Sequence, residues 1–429
     1  MKKDSFGDET QSQDHEKLSA FSAVAKPLTR REFVLLSGVS AASLLLAGCG
    51  GGGGGNGSAS RIVLQPNVVI LPADGSVTVS NVTSTGMTLS GKIPTIAANT
   101  VIVNPAPPGM IRKVTAVTSS SPSQIVLQTA QGTLEEVFQQ ADLQVSKQFG
   151  TSDIAKFVPA NGTLSDPNIP KGTPPTGFAL SFPAVTLASG VTLSCSGTLN
   201  AQLDMSVSIG TSGTSSVSAI QSASFAITLN ANLTVTLTAQ NGATISSNVQ
   251  LNNPAWGLTP VSLLTSPAIW ITPTITLFTL ASGTLKEAMT MTGAIGLSAK
   301  GGARYAAGSG WQPITNASLT DTTQPQQLFA DIDFTMTPLR TEMDFDLMSV
   351  PGPYVHADLP GRELVVSAVP SPTGVEVKLT DSIHADAGCD TSALGASLTN
   401  VTLAGLQLVT DTVFDKTYPS QGQATVGIQ

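Results

Sequence analysis

Leu199-Asn200-Ala201-Gln202-Leu203-Asp204-Met205-Ser206-Val207-Ser208-Ile209 alternates apolar and polar side chains without a fault. A longer run of the same kind follows. Ala223, Phe225, Ile227, Leu229, Ala231, Leu233, Val235, Leu237 and Ala239 are apolar. Between them stand Ser224, Thr228, Asn230, Asn232, Thr234, Thr236 and Thr238, and only Ala226 interrupts the pattern. A strand sends successive side chains to opposite faces, whereas a helix would scatter these residues around its axis. Both runs therefore read as strands with one buried face and one wet face, the arrangement of antiparallel sheet. At ~3.3 Å per residue the second run would extend roughly 56 Å, so a bend or bulge is expected within it.

Working outward, strand patterns recur at 268–278, 289–299, 326–337, 340–348, 354–357, 363–368, 374–379 and 397–407. The expectation is an all-β chain whose residues 177–429 form a large antiparallel β-sandwich or curled-sheet domain of about ten or more strands. Upstream, 146–176 holds Pro159, Pro167, Pro170, Pro174 and Pro175 and reads as an irregular linker. Residues 61–145 carry short strand-like runs separated by turn signals such as Pro72-Ala73-Asp74-Gly75. One short helix is expected after Thr133, because Thr133 and Glu136 have capping-box spacing and Leu134, Val137, Phe138 and Ala141 supply an apolar face. This stretch is read as a small N-terminal β module closed by that helix.

Composition agrees with an exported β protein. Only 11% of the 429 residues are charged, against about 25% in an average domain, while 41% are hydrophobic. The formal net charge is -8, and residues 1–48 hold as many acidic as basic groups, so the remainder carries all of it. No Lys/Arg cluster survives there, which removes the electrostatic footprint of nucleic-acid binding.

The first residues read as an address. Arg30-Arg31-Glu32-Phe33 resembles the twin-arginine export signal, with Arg30, Arg31 and Phe33 at the signal positions. The apolar run Phe33 to Leu46 is 14 residues long, too short to cross a bilayer core of about 30 Å comfortably. Leu46-Ala47-Gly48-Cys49 is similar to the bacterial lipobox. The resemblance implies a signal peptide over 1–48 and a mature chain that begins at an acylated Cys49, anchored to a membrane. Residues 50–60 are Gly-rich and form a flexible tether of roughly 18 Å r.m.s.. In a Gram-negative cell, Gly50 rather than Asp after the lipidated residue implies the outer membrane.

Two further stretches carry a resemblance. Gly109 to Thr115, continuing through Leu127-Gln128-Thr129 to Thr133–Phe138, is similar to a segment of large bacterial surface proteins of uncharacterised function. Ile271 to Phe278 and Pro351 to Val355 resemble the β domain that follows in those proteins. No catalytic signature comes with the resemblance.

A transmembrane β-barrel would also alternate. Against it stand the lipobox, the scarcity of girdle aromatics (three Trp and three Tyr) and the terminal Val426-Gly427-Ile428-Gln429.

Candidate chemistry is sparse. Cys195 and Cys389 are the remaining cysteines besides Cys49 and, in an oxidising exterior, are candidates for a disulfide. His356-Ala357-Asp358 and His384-Ala385-Asp386 repeat one tripeptide, and His-x-Asp on a strand puts both side chains on one face. Asp331, Asp333, Glu342, Asp344 and Asp346 recur at period two; of these Asp331, Asp333, Asp344 and Asp346 are the candidates for holding a cation, and the group as a whole for a glycosidase pair. Trp256, Trp270 and Trp311 are candidates for stacking on sugars. No G-x-S-x-G, H-E-x-x-H or dinucleotide fingerprint is found, and no cofactor is implied. The expectation is a lipid-anchored cell-envelope protein with a structural, adhesive or ligand-binding role rather than an enzymatic one. Its partners would be the membrane and either a carbohydrate or another surface protein. The alternative is an envelope or extracellular polysaccharide hydrolase using carboxylates around 331–346.

Overall fold

The two deciding runs are partners in one hairpin. Strands β10 (Val191–Thr211) and β11 (Ser218–Ala239) pair antiparallel, with Leu199 opposite Ala231, Leu203 opposite Ile227 and Val207 opposite Ala223. The structure, a computed structural model, describes residues 62–154, 177–211, 218–240, 242–285, 288–326, 332–370, 373–395, 398 and 400–419. Arg30, Arg31, Phe33 and Cys49 lie outside the described residues, as do most of the expected linker and Asp331.

Every apolar residue named in the two runs is buried. The bulge expected within 223–239 is not there. Pairing of this stretch with β10 and with β16 (Met289–Ala306) is unbroken, and the one β10–β11 register shift lies between Ser208 and Ile209. Glycine lets the long strands curl instead. A Cβ on Gly302 would sit 2.2 Å from Phe225 O, and one on Gly197, at φ +147°, would sit 2.0 Å from Asn232 O. Only a residue without a side chain permits so close an approach between neighbouring strands.

The fold is all-β in three sheets. The first large sheet runs β1 (Val63–Leu64), β8 (Phe138–Phe149), β10, β11, β16 and β17 (Gly310–Asp321); β9 (Phe178–Ala188) also joins β10, and β18 (Gln324–Gln326) joins β16. The second runs β12 (Ala243–Gln250), β15 (Ala268–Leu285), β19 (Ile332–Leu347), β20 (Val350–Pro370), β21 (Thr373–Cys389) and β22 (Val401–Pro419); β13 (Trp256–Gly257) and β14 (Val261–Thr265) join β15. All pairings in these two sheets are antiparallel. Their apolar faces share one core, in which Phe149 meets Phe345 (ring centroids 6.5 Å apart) and Phe178 meets Trp256 (5.8 Å). The architecture is thus a sandwich of two curled sheets. Each fully buried Leu, Ile or Phe contributes about 1.5–3 kcal/mol by leaving water.

The third sheet is small: β2 (Val68–Ile70), β5 (Val101–Asn104), β6 (Met110–Ser121), β7 (Gln124–Gln131), β4 (Gly86–Gly91) and β3 (Val77–Ser80) in that order, with β2–β5 the parallel pair. It has its own core around Leu89, Ile102, Val114 and Leu127. The expected helix is present but brief. Helix α1 (Leu134–Val137) is held by a complete capping box: Thr133 Oγ1 accepts from Glu136 N (3.3 Å), and Glu136 Oε2 accepts from Thr133 N (3.2 Å). Phe138 and Ala141, expected on the helix, belong to β8, which runs through residue 145, the expected end of the small module. The reason is visible in the chain: Ala141, Leu143, Val145 and Phe149 hold period two across that point, so the strand continues into the large core.

Candidate functional site

Hairpin register brings the two His-Ala-Asp tripeptides together. β20 and β21 pair so that His356 lies opposite Asp386 and Asp358 lies opposite His384. β19 supplies the next column, with Glu342 opposite His356 and Arg340 opposite Asp358. All six side chains point away from the sandwich core, since Met343, Val355, Ala357, Ala385 and Ala387 beside them point in and are buried. The result is a checkerboard on the outer face of the second sheet. One row reads Arg340, Asp358, His384 and the next reads Glu342, His356, Asp386, so each acidic group has basic neighbours across the strands.

Arg340 ties two of these side chains together, and the others are held by residues beside the array. Arg340 Nε donates to Glu342 Oε1 (2.8 Å) and Nη1 to Asp358 Oδ1 (3.4 Å). His356 Nε2 is 3.1 Å from Asp344 Oδ1, and its ring lies 5.0 Å from that of Tyr354. His384 Nδ1 is 3.2 Å from Ser382 Oγ, and Asp386 Oδ1 accepts from Gly405 N (2.6 Å). Burial raises the Asp358 carboxyl above its ordinary value, with Arg340 and His384 opposing and Asp386 reinforcing the rise. Burial works against the charge of Arg340, yet Glu342, Asp358 and Asp386 outweigh it and hold its pKa above the usual guanidinium value. Asp346 is also raised, by burial first and by Asp344 second.

The expected cation candidates do not come together. Asp333 pairs across to Val365 at one end of β19, while Asp344 and Asp346 pair to Tyr354 and Pro351 at the other. Eleven residues of strand separate Asp333 from Asp344, roughly 36 Å. Among the described residues no group of three or more His, Cys, Asp or Glu side chains is placed to hold a metal ion.

The expected Cys195–Cys389 bridge is not formed, and both residues are free thiols. They sit in different sheets: Cys195 in β10 faces Val235 and Phe182 across its strands, and Cys389 ends β21 opposite Pro353 and Val401. Burial pushes each thiol up to about 12, with Asp390 adding to the rise at Cys389.

The tryptophans serve packing. Trp270 Nε1 donates to Pro105 O (2.7 Å), which fastens the β5–β6 loop of the small sheet to the second large sheet. Trp256 is buried, and Trp311 is half-buried against Tyr305 and Phe225. Glu135, in the first turn of α1, is anchored as well: its Oε1 accepts from Ile220 N (2.9 Å) at the head of β11.

Comparison with protein-family models, with curated proteins and with solved structures brings up no match.

The juxtaposition of the tripeptides has a signal in the chain. Pro370-Ser371-Pro372-Thr373-Gly374 is a turn cluster midway between them, and folding β20 onto β21 about it superposes the two motifs in reverse.

Proposed function

We propose that this chain is an exported lipoprotein, tethered to the cell envelope through Cys49, whose sandwich presents the outer face of the second sheet to a polar partner. The role is adhesive or ligand-binding rather than catalytic. The checkerboard of Arg340, Glu342, His356, Asp358, His384 and Asp386 carries this reading. It is a stiff, open array of donors and acceptors on paired strands, suited to contact between surfaces, where polar complementarity gives specificity. The leader residues Arg30, Arg31, Phe33 and Cys49 support export and anchoring. The partner class is a carbohydrate or another surface protein, reached across the Gly-rich tether.

Fractionation of cells carrying the native chain or Cys49→Ala tests the reading. The native protein is expected in the membrane fraction and the variant in soluble, folded form. A variant that resists carbonate extraction from membranes would overturn the tether. For the face, cells carrying His356→Glu with His384→Glu are expected to lose adhesion while keeping a native melting curve. Unchanged adhesion would remove the face from the reading.

One observation favours the alternative hydrolase: Asp346 is raised beside Asp344, the polarisation an acid and base pair needs. The two project in parallel from one strand, however, whereas a glycosidase pair flanks the scissile bond from both sides. Release of reducing sugar from envelope polysaccharide, abolished by Asp344→Asn or Asp346→Asn, would favour the hydrolase.

A further inference from the structure

Arg362 stands on β20 where the pattern calls for an apolar side chain. Its neighbours of the same parity, Leu364 and Val366, are buried in the sandwich core, and so is Arg362. Across the ladder Arg362 faces Asp381, which lies between buried Leu379 and Ile383 on β21. From the first sheet Asp321, the last residue of β17, reaches the same guanidinium, and Thr323 follows it. The side chains of Arg362, Asp321 and Asp381 are 2%, 1% and 0% exposed. A charged cluster therefore bridges the two sheets inside the core.

Its hydrogen bonds do not balance with both carboxylates ionised. Arg362 Nη2 serves three acceptors: Asp321 Oδ2, Thr323 Oγ1 (2.8 Å) and Asp381 Oδ2 (3.1 Å). A guanidinium Nη has only two N–H groups. Thr323 cannot make up the shortage, because its hydroxyl proton is committed to Asp321 Oδ1 (2.6 Å), as is its backbone N–H (2.6 Å). Meanwhile Arg362 Nε and Asp381 Oδ1 have no partner. One cation against two anions also leaves a net negative charge where solvent does not reach. A proton on Asp381 eases both faults: it neutralises the cluster, and it lifts one ionised acceptor from the competition for the two N–H groups of Arg362 Nη2.

We propose that Arg362, Asp321, Thr323 and Asp381 form a proton-operated latch between the two sheets, closed when Asp381 is protonated and loosened when it ionises. The groups around Asp381 fit this role. Burial pushes it up to about 6, Arg362 opposes the rise, and Asp411 on β22, its cross-strand partner, reinforces it. Gly293 of β16 leaves the space that Thr323 fills, since a Cβ there would lie 1.8 Å from Thr323 Oγ1. The sign follows. A carboxyl held above its ordinary value adds stability below that value, and the gain is lost as pH rises through about 6.

Thermal unfolding of the full-length protein, followed from about pH 4.5 to about pH 8, tests the latch. The native melting temperature is expected to fall as pH passes about 6. Asp381→Asn keeps a permanent N–H donor and should lose that dependence. Asp411→Asn, an exposed position, should move the transition to lower pH. Amide exchange, corrected for its intrinsic pH dependence, should quicken first at Thr322, whose N–H bonds Ala294 O beside the cluster. Parallel curves for the native chain and Asp381→Asn would overturn the latch. Should Asp381→Asn not fold, an unshifted Asp411→Asn transition would do so alone.

Discussion

Replacing Arg362 by Met removes the only cation that faces Asp321 and Asp381 among the described residues. Methionine fits the channel left by the aliphatic stem, so packing is largely kept. What is lost is the pairing of two carboxylates that stay buried. Breaking a buried ion pair by removing one partner costs about 3–5 kcal/mol, because the orphaned charge keeps its desolvation penalty. Unfolding entropy runs near 2.1 cal/mol/K per residue, or about 0.8 kcal/mol/K over the roughly 370 residues from Ala59 to Gln429. Arg362→Met should therefore lower the melting temperature by about 4–6 °C near neutral pH. The deficit should shrink in acid, where Asp381 takes up a proton and no longer needs the cation. Adding Asp381→Leu should recover at least half of the loss, since an apolar side chain suits that position between Leu379 and Ile383. Calorimetry of the three proteins side by side is the assay. An Arg362→Met melting point within about 1 °C of native would refute the reasoning, because a buried, functioning pair cannot be removed so cheaply.

Other expectations rest on single contacts. Gly302→Ala should destabilise by more than about 2 kcal/mol, because its Cβ would strike Phe225 O, while Gly257→Ala, which meets nothing within 4 Å, should stay within about 0.5 kcal/mol; urea titrations compare the two. Thr133→Ala removes half the capping box of α1 and should cost about 1 kcal/mol by the same titration. Cys195 and Cys389, buried and held as thiols, should resist an aromatic disulfide reagent in the folded protein and both react once it is unfolded; no reaction after unfolding would show that they are oxidised.

The strand character of the chain was legible because period two is a local signal: parity alone assigns the buried positions of Leu199–Ile209 and Ala223–Ala239, with Ala226, buried on the polar parity, the exception. Strand lengths were not, because a break in parity looks like a turn from sequence and is here a bulge. Residues 337–339 are buried in succession, yet β19 passes through them. The same effect hid Arg362. Before the register shift between Asp358 and Gly361 the inward residues of β20 are Val355, Ala357 and Leu359; after it they are Arg362, Leu364 and Val366. Read on the first parity, Arg362 falls on the solvent side. The His-Ala-Asp tripeptides were visible as a repeat, but their placement opposite one another depends on hairpin register, which a list of strands does not contain.

The way the described chain enters the fold bears on how it would carry tension. Strand β1 is two residues long, and its pairing with β8 is reinforced at Gln65. Gln65 N donates to Val137 O (2.9 Å), and its amide Nε2 reaches Ser218 Oγ (2.9 Å), Glu135 O and Phe138 O (both 3.4 Å). A pull on the N-terminal side, as a tethered protein would feel under fluid shear, meets β1 and this rivet, on the first large sheet, before it meets the small sheet. The rivet joins α1, β8 and β11, so load passes directly into the first large sheet. The small sheet, whose strands follow β1 in the chain, is shielded from stretching until the rivet yields.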